Sequence, residues 1–242
     1  MTVPTNAPET RAATVFCGSS KGAHAAFAHA ASSLGKALAQ AKRPLVYGGG
    51  SAGTMGVVSL AALEAGGEVT GVIPFAMASA GGERDQVKGT EAAHLSFRGG
   101  PGREKVVTNS MHERKAEMAR RSCAFFGLPG GLGTFEEVLE VACWSQLGIH
   151  RKPVILLNVR NFWDPLKLLV RNGIENGFIL PANERLIRYV EGPEDVAEHD
   201  TFDWGAAAVA ALDQWDTVQA THFYNWHLRK EGETDAEPLG AA

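Results

Sequence analysis

Apolar residues in this chain fall in short continuous runs, each followed by a longer stretch with helical spacing. "ATVFCGS" (residues 13–19) predicts a buried strand ending in a Gly/Ser turn, and "HAAFAHAASSLGKALAQA" (24–41) predicts the helix after it. "PLVYGGG" runs from strand into glycine loop, and "TMGVVSLAALEAG" (54–66) is the next helix, stopped by Gly66 and Gly67. "EVTGVIP", "SCAFFGLPGG" (122–131) and "PVILLN" (153–158) are three further strands, with helices between and after them. Strands that do not alternate are buried on both faces, and strands separated by helices run parallel. The pattern therefore predicts an α/β fold, a doubly wound parallel sheet with helices on both faces. The glycine-rich segments recur where a strand gives way to a helix, the edge at which such sheets bind ligands.

Two stretches break this rhythm. Residues 78–108 carry "ASAGGER" and "RGGPGREK" without a clear period and read as a long excursion. The tail from Lys230, "KEGETDAEPLGAA", has the composition of a disordered segment. Residues 1–12 read as a flexible N-terminus without the apolar core of a signal peptide. A chain of 242 residues suits one sizeable domain, placed here at residues 13–229.

Composition narrows the function mainly by exclusion. A net charge of −4 offers no basic field for a nucleic-acid polymer, although a nucleotide monomer needs only a local site. Cys17, Cys123 and Cys143 form no CxxC and are odd in number, which argues against a disulfide framework or a zinc centre. No apolar run approaches the roughly 20 residues of a membrane span. The expectation is a reduced, cytoplasmic protein with no metal, no cofactor and no membrane partner.

Three constellations carry candidate chemistry. "YGGGSAGTMG" (47–56) is either a backbone cradle for a nucleotide or a tight turn in which Gly53 and Gly56 let helix and sheet pack closely. The residues leave both readings open. It is not a dinucleotide fingerprint, because Glu68 lies before the next strand rather than at its end.

"PGGLGT" (129–134) follows a strand directly, with Thr134 placed to open a helix. Gly130, Gly131 and Gly133 let successive N–H groups converge on one anion, which the helix dipole favours. Without a Gly-Lys-Ser/Thr ending it suits a single phosphate rather than a triphosphate. Thr134 and Glu137 also spell a capping box, with which a phosphate would compete. A simple cap does not require three glycines, and the phosphate seat is the favoured reading.

In "NSMHERKAEMARR" (109–121), Ser110 and Glu113 spell another capping box and put Arg114 and Lys115 in the first turns of a helix. Taken alone this is an ordinary surface helix. No HExxH, Ser/His/Asp order or metal-ligand spacing is present, and His112 and His150 default to structural or surface roles.

Together these pieces resemble the Lonely Guy (LOG) family of cytokinin riboside 5′-monophosphate phosphoribohydrolases, some of them long labelled lysine decarboxylases. The family's PGGxGTxxE is matched by residues 129–137, its MHxRKAEM by 111–118 and its YGGGSxGxMG by 47–56. CGSS is matched by 17–20 and WxQLGIHxKPV by 144–154, so the likeness spans about residues 13–190. Two departures stand out: the excursion before Met111, where Glu83 is a weak match to an acidic substrate contact, and Cys143 in place of a frequent threonine.

The resemblance implies a Rossmann-like version of the sheet and hydrolysis of the N-glycosidic bond of an N6-substituted AMP. It implies Arg114 and Glu137 as catalytic residues. Substrate contacts are implied for Arg114, Lys115, Gly130, Gly131, Leu132, Gly133, Thr134, Phe135, Glu136, Cys143, Gly49, Ser51, Ser19 and Met111. It also implies self-association as a homodimer or larger assembly, and no cofactor. A nucleotide-binding or carrier protein without turnover is the alternative, which would not need Arg114 and Glu137 together.

Overall fold

A computed structural model describes residues 11–80, 101–215 and 224–226. In chain order the elements are β1 (Ala13–Phe16), α1 (Ala25–Gln40), β2 (Leu45–Tyr47), α2 (Gly53–Glu64), β3 (Val69–Pro74) and α3 (Phe75–Ser79). There follow β4 (Arg103–Thr108), α4 (Met111–Arg121), β5 (Ala124–Gly127), α5 (Leu132–Leu147), β6 (Val154–Leu157), α6 (Asp164–Glu175), β7 (Arg188–Val190) and α7 (Trp204–Asp213). The strands form one sheet in the order β4-β3-β2-β1-β5-β6-β7, with every pairing parallel. This is the Rossmann-like doubly wound architecture.

The short apolar runs form strands because both of their faces are covered. Ala13, Val15, Leu45, Tyr47 and Phe126 point into a core closed by α1, α2 and α7. Phe16, Val46, Phe125 and Leu156 point the other way, under α4 and α5. The chain steps outward from β1 to β4, and α4 then carries it back to lay β5 on the free side of β1. The winding reverses between β1 and β5, and there the connections diverge and open a crevice at the strand C-terminal ends.

Two strands were not foreseen. β4 lies inside the stretch read as an excursion, and β7 follows α6. Both are sheet edges and both begin with arginine, so neither has the apolar run of a buried strand. Residues 81–100 of the excursion with Glu83, residues 1–10 and the tail from residue 230 lie outside the described residues. Among the described residues no helix is long and apolar enough to cross a membrane, and no cluster of His, Cys, Asp and Glu could hold a metal.

Candidate active site

The crevice is assembled from the connections after β1, β2 and β5 and from the first turns of α4 and α5. After β1, the Gly18 carbonyl accepts from the Thr54 hydroxyl at 3.0 Å and from the Met55 N–H at 3.3 Å, which ties the Ser19 loop to the start of α2. Gly53 has φ +61, and a Cβ there would lie 2.2 Å from the carbonyl carbon of Ser19. A Cβ on Gly56 would lie 2.1 Å from the Ser51 oxygen, and Gly49 has φ +77. Backbone conformation and close chain packing thus account for glycine at all three positions.

The glycine loop after β5 is different. A Cβ on Gly130 would lie 2.1 Å from the Thr134 hydroxyl oxygen, so this glycine is required by the chain's own packing. A Cβ on Gly131 or Gly133 would meet no protein atom within 4 Å, and neither residue has positive φ. Fold and backbone therefore do not demand glycine at these two positions.

The helix also begins earlier than expected. α5 starts at Leu132, with Gly131 as its N-cap and no side chain capping it. Thr134 stands inside the first turn, buried against Gly130, so the Thr134–Glu137 capping box does not form. What remains is a helix N-terminus without a side-chain cap, flanked by two glycines in open space, a favourable setting for an anion.

Glu137, one turn into α5, is buried and pairs with Arg114 instead. Arg114 is placed by α4. Its Ser110 N-cap accepts from the Glu113 N–H at 3.1 Å, while the Glu113 carboxylate accepts from the Asn109 backbone N–H at 2.8 Å. The cap therefore resembles the predicted box but reaches one residue further back. From this helix the Arg114 side chain runs under the sheet edge and is only 4% exposed. Its Nε donates to the Val72 carbonyl at 3.1 Å, its Nη2 to the Gly48 carbonyl at 3.4 Å, and its Nη1 stands 3.4 Å from Glu137 Oε1. The Met111 sulfur lies 3.8 Å from Nη1. Burial strengthens such a pair and makes either partner costly to leave alone.

The neighbouring side chains divide. Lys115 turns away from Arg114 and binds Glu136 together with Glu140, the latter at 2.9 Å. Burial lowers the affinity of its ammonium for a proton, but the two carboxylates outweigh that and hold the lysine above its ordinary value. Leu132 and Met111 are exposed at the first turns of α5 and α4. Phe135 packs on Phe162 and Trp163, at ring separations of 6.0 and 5.7 Å, and so belongs to the core side of α5. Cys143 lies in a groove of about 880 Å³ with Leu139, Ala142, Lys167 and Tyr189. Cys143 stands about one and two-thirds turns beyond Glu137 along α5, and the groove is lined by neither Arg114 nor Glu137, so within one chain the crevice and the cysteine are apart. Sequence reasoning did not single out Gly48 or Val72. Their contribution is a main-chain carbonyl, which leaves no signature in residue type.

A family model described as "Possible lysine decarboxylase" matches residues 55–199. The chain is 48% identical over 180 residues to LOGL9 of Oryza sativa subsp. japonica, named a probable cytokinin riboside 5′-monophosphate phosphoribohydrolase, covering 74% of this chain and 72% of that protein. It is 43% identical over 179 residues to the Arabidopsis thaliana cytokinin riboside 5′-monophosphate phosphoribohydrolase LOG5, covering 74% and 71%. Among solved structures, the molybdenum cofactor binding protein of Rippkaea orientalis superposes with a TM-score of 0.51 at 21% identity, over 77% of this chain and 93% of that one. This last likeness concerns the fold alone.

Proposed function

The chain belongs to the Lonely Guy (LOG) family, and from that premise we infer that it hydrolyses the N-glycosidic bond of cytokinin riboside 5′-monophosphates to give the free base and ribose 5-phosphate. The observation that carries this reading is the burial of Glu137 against Arg114 one turn inside an N-terminus that no side chain caps. Breaking the bond between C1′ and the base nitrogen builds positive charge on the sugar, which a nearby carboxylate stabilises. Glu137 supplies that carboxylate. Arg114 holds it in place, and as a guanidinium it does not release a proton. Water gives its hydroxyl to C1′ and a proton to the departing base.

The 5′-phosphate is assigned to the N–H groups around Gly131 and Gly133, where the open space above both glycines gives it room. Thr134, Gly130 and the Ser19, Gly49 and Ser51 backbone shape that seat. Leu132 and Met111 line its exposed side, and Lys115 with Glu136 forms its charged flank. Held at the phosphate, the substrate presents C1′ to Glu137 without further search, so the phosphate contributes to rate as well as to affinity.

Lysine decarboxylation, the activity in the family model's description, requires a lysine free to hold a pyridoxal phosphate. Lys115 is bound by two carboxylates, and Lys152 is buried at the opposite end of the sheet, donating to the Ala119 carbonyl at 2.8 Å. These residues do not fit that cofactor.

We place the protein in the cytoplasm, consistent with Cys17, Cys123 and Cys143 standing outside any disulfide, and read residues 13–229 as one catalytic domain. We assign it to a homodimer or larger assembly. Leu168, Leu169, Phe178 and Leu180 expose an apolar surface on and after α6, and light scattering should give more than the 25.7 kDa of one chain.

The test is chromatography after incubation with isopentenyladenosine 5′-monophosphate, AMP and isopentenyladenosine side by side. Base released from a monophosphate but not from the riboside is the expected result. Nucleotide binding without base release would make the protein a carrier.

A further inference from the structure

We propose that Gly48 is a positioning residue for Arg114, an inference that rests on the hydrolase reading above. Glycine directly after β2 is not required by φ. A Cβ at Gly48 would lie 2.1 Å from Arg114 Nη2 and 3.3 Å from its Cζ. The Met55 sulfur would lie 3.2 Å away, but it ends a flexible side chain and can yield. The guanidinium cannot. Val72 holds its Nε through the carbonyl at 3.1 Å, Glu137 holds Nη1, and only 5% of the side chain reaches solvent.

The same residue also contributes an attraction, because its carbonyl accepts from Nη2. Gly48 therefore acts twice, leaving the space that the guanidinium enters and supplying an acceptor at the end of that space. Val72 provides the matching acceptor on the adjacent strand, so two main-chain carbonyls and one carboxylate fix the plane of Arg114. A guanidinium fixed in plane offers Glu137 a constant partner and leaves its carboxylate aimed at one point. The first glycine of the YGGG run serves the catalytic pair.

The experiment is a cycle of Gly48→Ala and Arg114→Lys, read by turnover of isopentenyladenosine 5′-monophosphate, by AMP binding and by thermal unfolding. Lysine has no Nη2 for the new methyl group to strike. Gly48→Ala should lose roughly 100-fold in kcat while AMP binding stays within about threefold, because the glycine loop is untouched. In the Arg114→Lys background the same change should cost about twofold at most and leave the unfolding midpoint where Arg114→Lys alone sets it. Equal losses in both backgrounds, or a Gly48→Ala enzyme as fast as the parent, would overturn the proposal. If Gly48→Ala alone does not fold, the double variant should, and its failure would also overturn it. No base release by the parent chain, with the unfolding cycle still coupled, would refute the hydrolase reading and leave the positioning of Arg114 standing.

Discussion

At the scale of single residues, the decisive fact is which partner Glu137 takes. The sequence offers it two roles, closing a capping box with Thr134 or reaching a bound ligand; Thr-x-x-Glu spells the first, and the three glycines before it favour the second. In the structure α4 brings Arg114 within 3.4 Å, and the helix starts two residues before Thr134, so the first role is closed. An arginine 23 positions earlier in the chain decides this, and no window around residue 137 contains it. Glu137→Gln keeps size and an oxygen acceptor for Arg114 while removing the charge that would face C1′. Turnover should fall by about 10²–10³-fold with AMP affinity little changed, as for loss of one preorganised electrostatic group. Single-turnover rates and calorimetric AMP binding check this, and turnover within a few-fold of the parent would remove Glu137 from the mechanism.

At the scale of elements, α5 accounts for much of the site, and its glycines separate into those the fold uses and those it does not. Gly130 is closed by Thr134, whereas Gly133 stands at the second position of the helix with nothing near its would-be Cβ. Alanine is the better helix former and restricts the unfolded chain, so Gly133→Ala should stabilise the protein by up to about 1 kcal/mol. The same methyl group would project where the phosphate is assigned. Its KM for the monophosphate should therefore rise roughly tenfold or more, ~1.4 kcal/mol in binding. A stabilised variant with unchanged KM would remove the phosphate from this helix end. The elements themselves were legible to different degrees. The apolar runs of β1, β2, β3, β5 and β6 announced themselves because both faces are buried. The edge strand β4, with Arg103, Glu104 and Lys105, carries the charges expected of a solvated loop. The three glycine-rich connections were legible as a shared edge, but not which glycine met a ligand and which met its own chain.

At the scale of the whole molecule, the two ends of the sheet carry different burdens. The C-terminal edge gathers the charged pair and the uncapped helix, while the opposite edge buries His150 and Lys152 just ahead of β6. Burial, then the neighbouring Lys152 charge, pushes His150 down to about 4, and burial pushes Lys152 down to about 8. Both folded-state values lie below the unfolded ones, so in each case the unfolded chain takes up the proton first. For His150 the stability is therefore complete above its ordinary value near 6.5 and is lost as pH falls from there towards 4. For Lys152 stability rises as pH goes from about 8 towards its ordinary 10.5. His150 lies just before the start of β6, at the end of the sheet opposite Arg114 and Glu137, which separates this effect from the active site in space. His150 Nδ1 accepts from the Lys152 backbone N–H at 3.1 Å, and asparagine can offer an oxygen in the same place. His150→Asn should therefore flatten the fall in stability between pH 6.5 and 4 by on the order of 3 kcal/mol at the acid end. Denaturant titrations of both proteins across that range measure the difference directly. Parallel curves would mean that His150 is protonated in the folded molecule, and that its burial is not what makes this end of the sheet sensitive to acid.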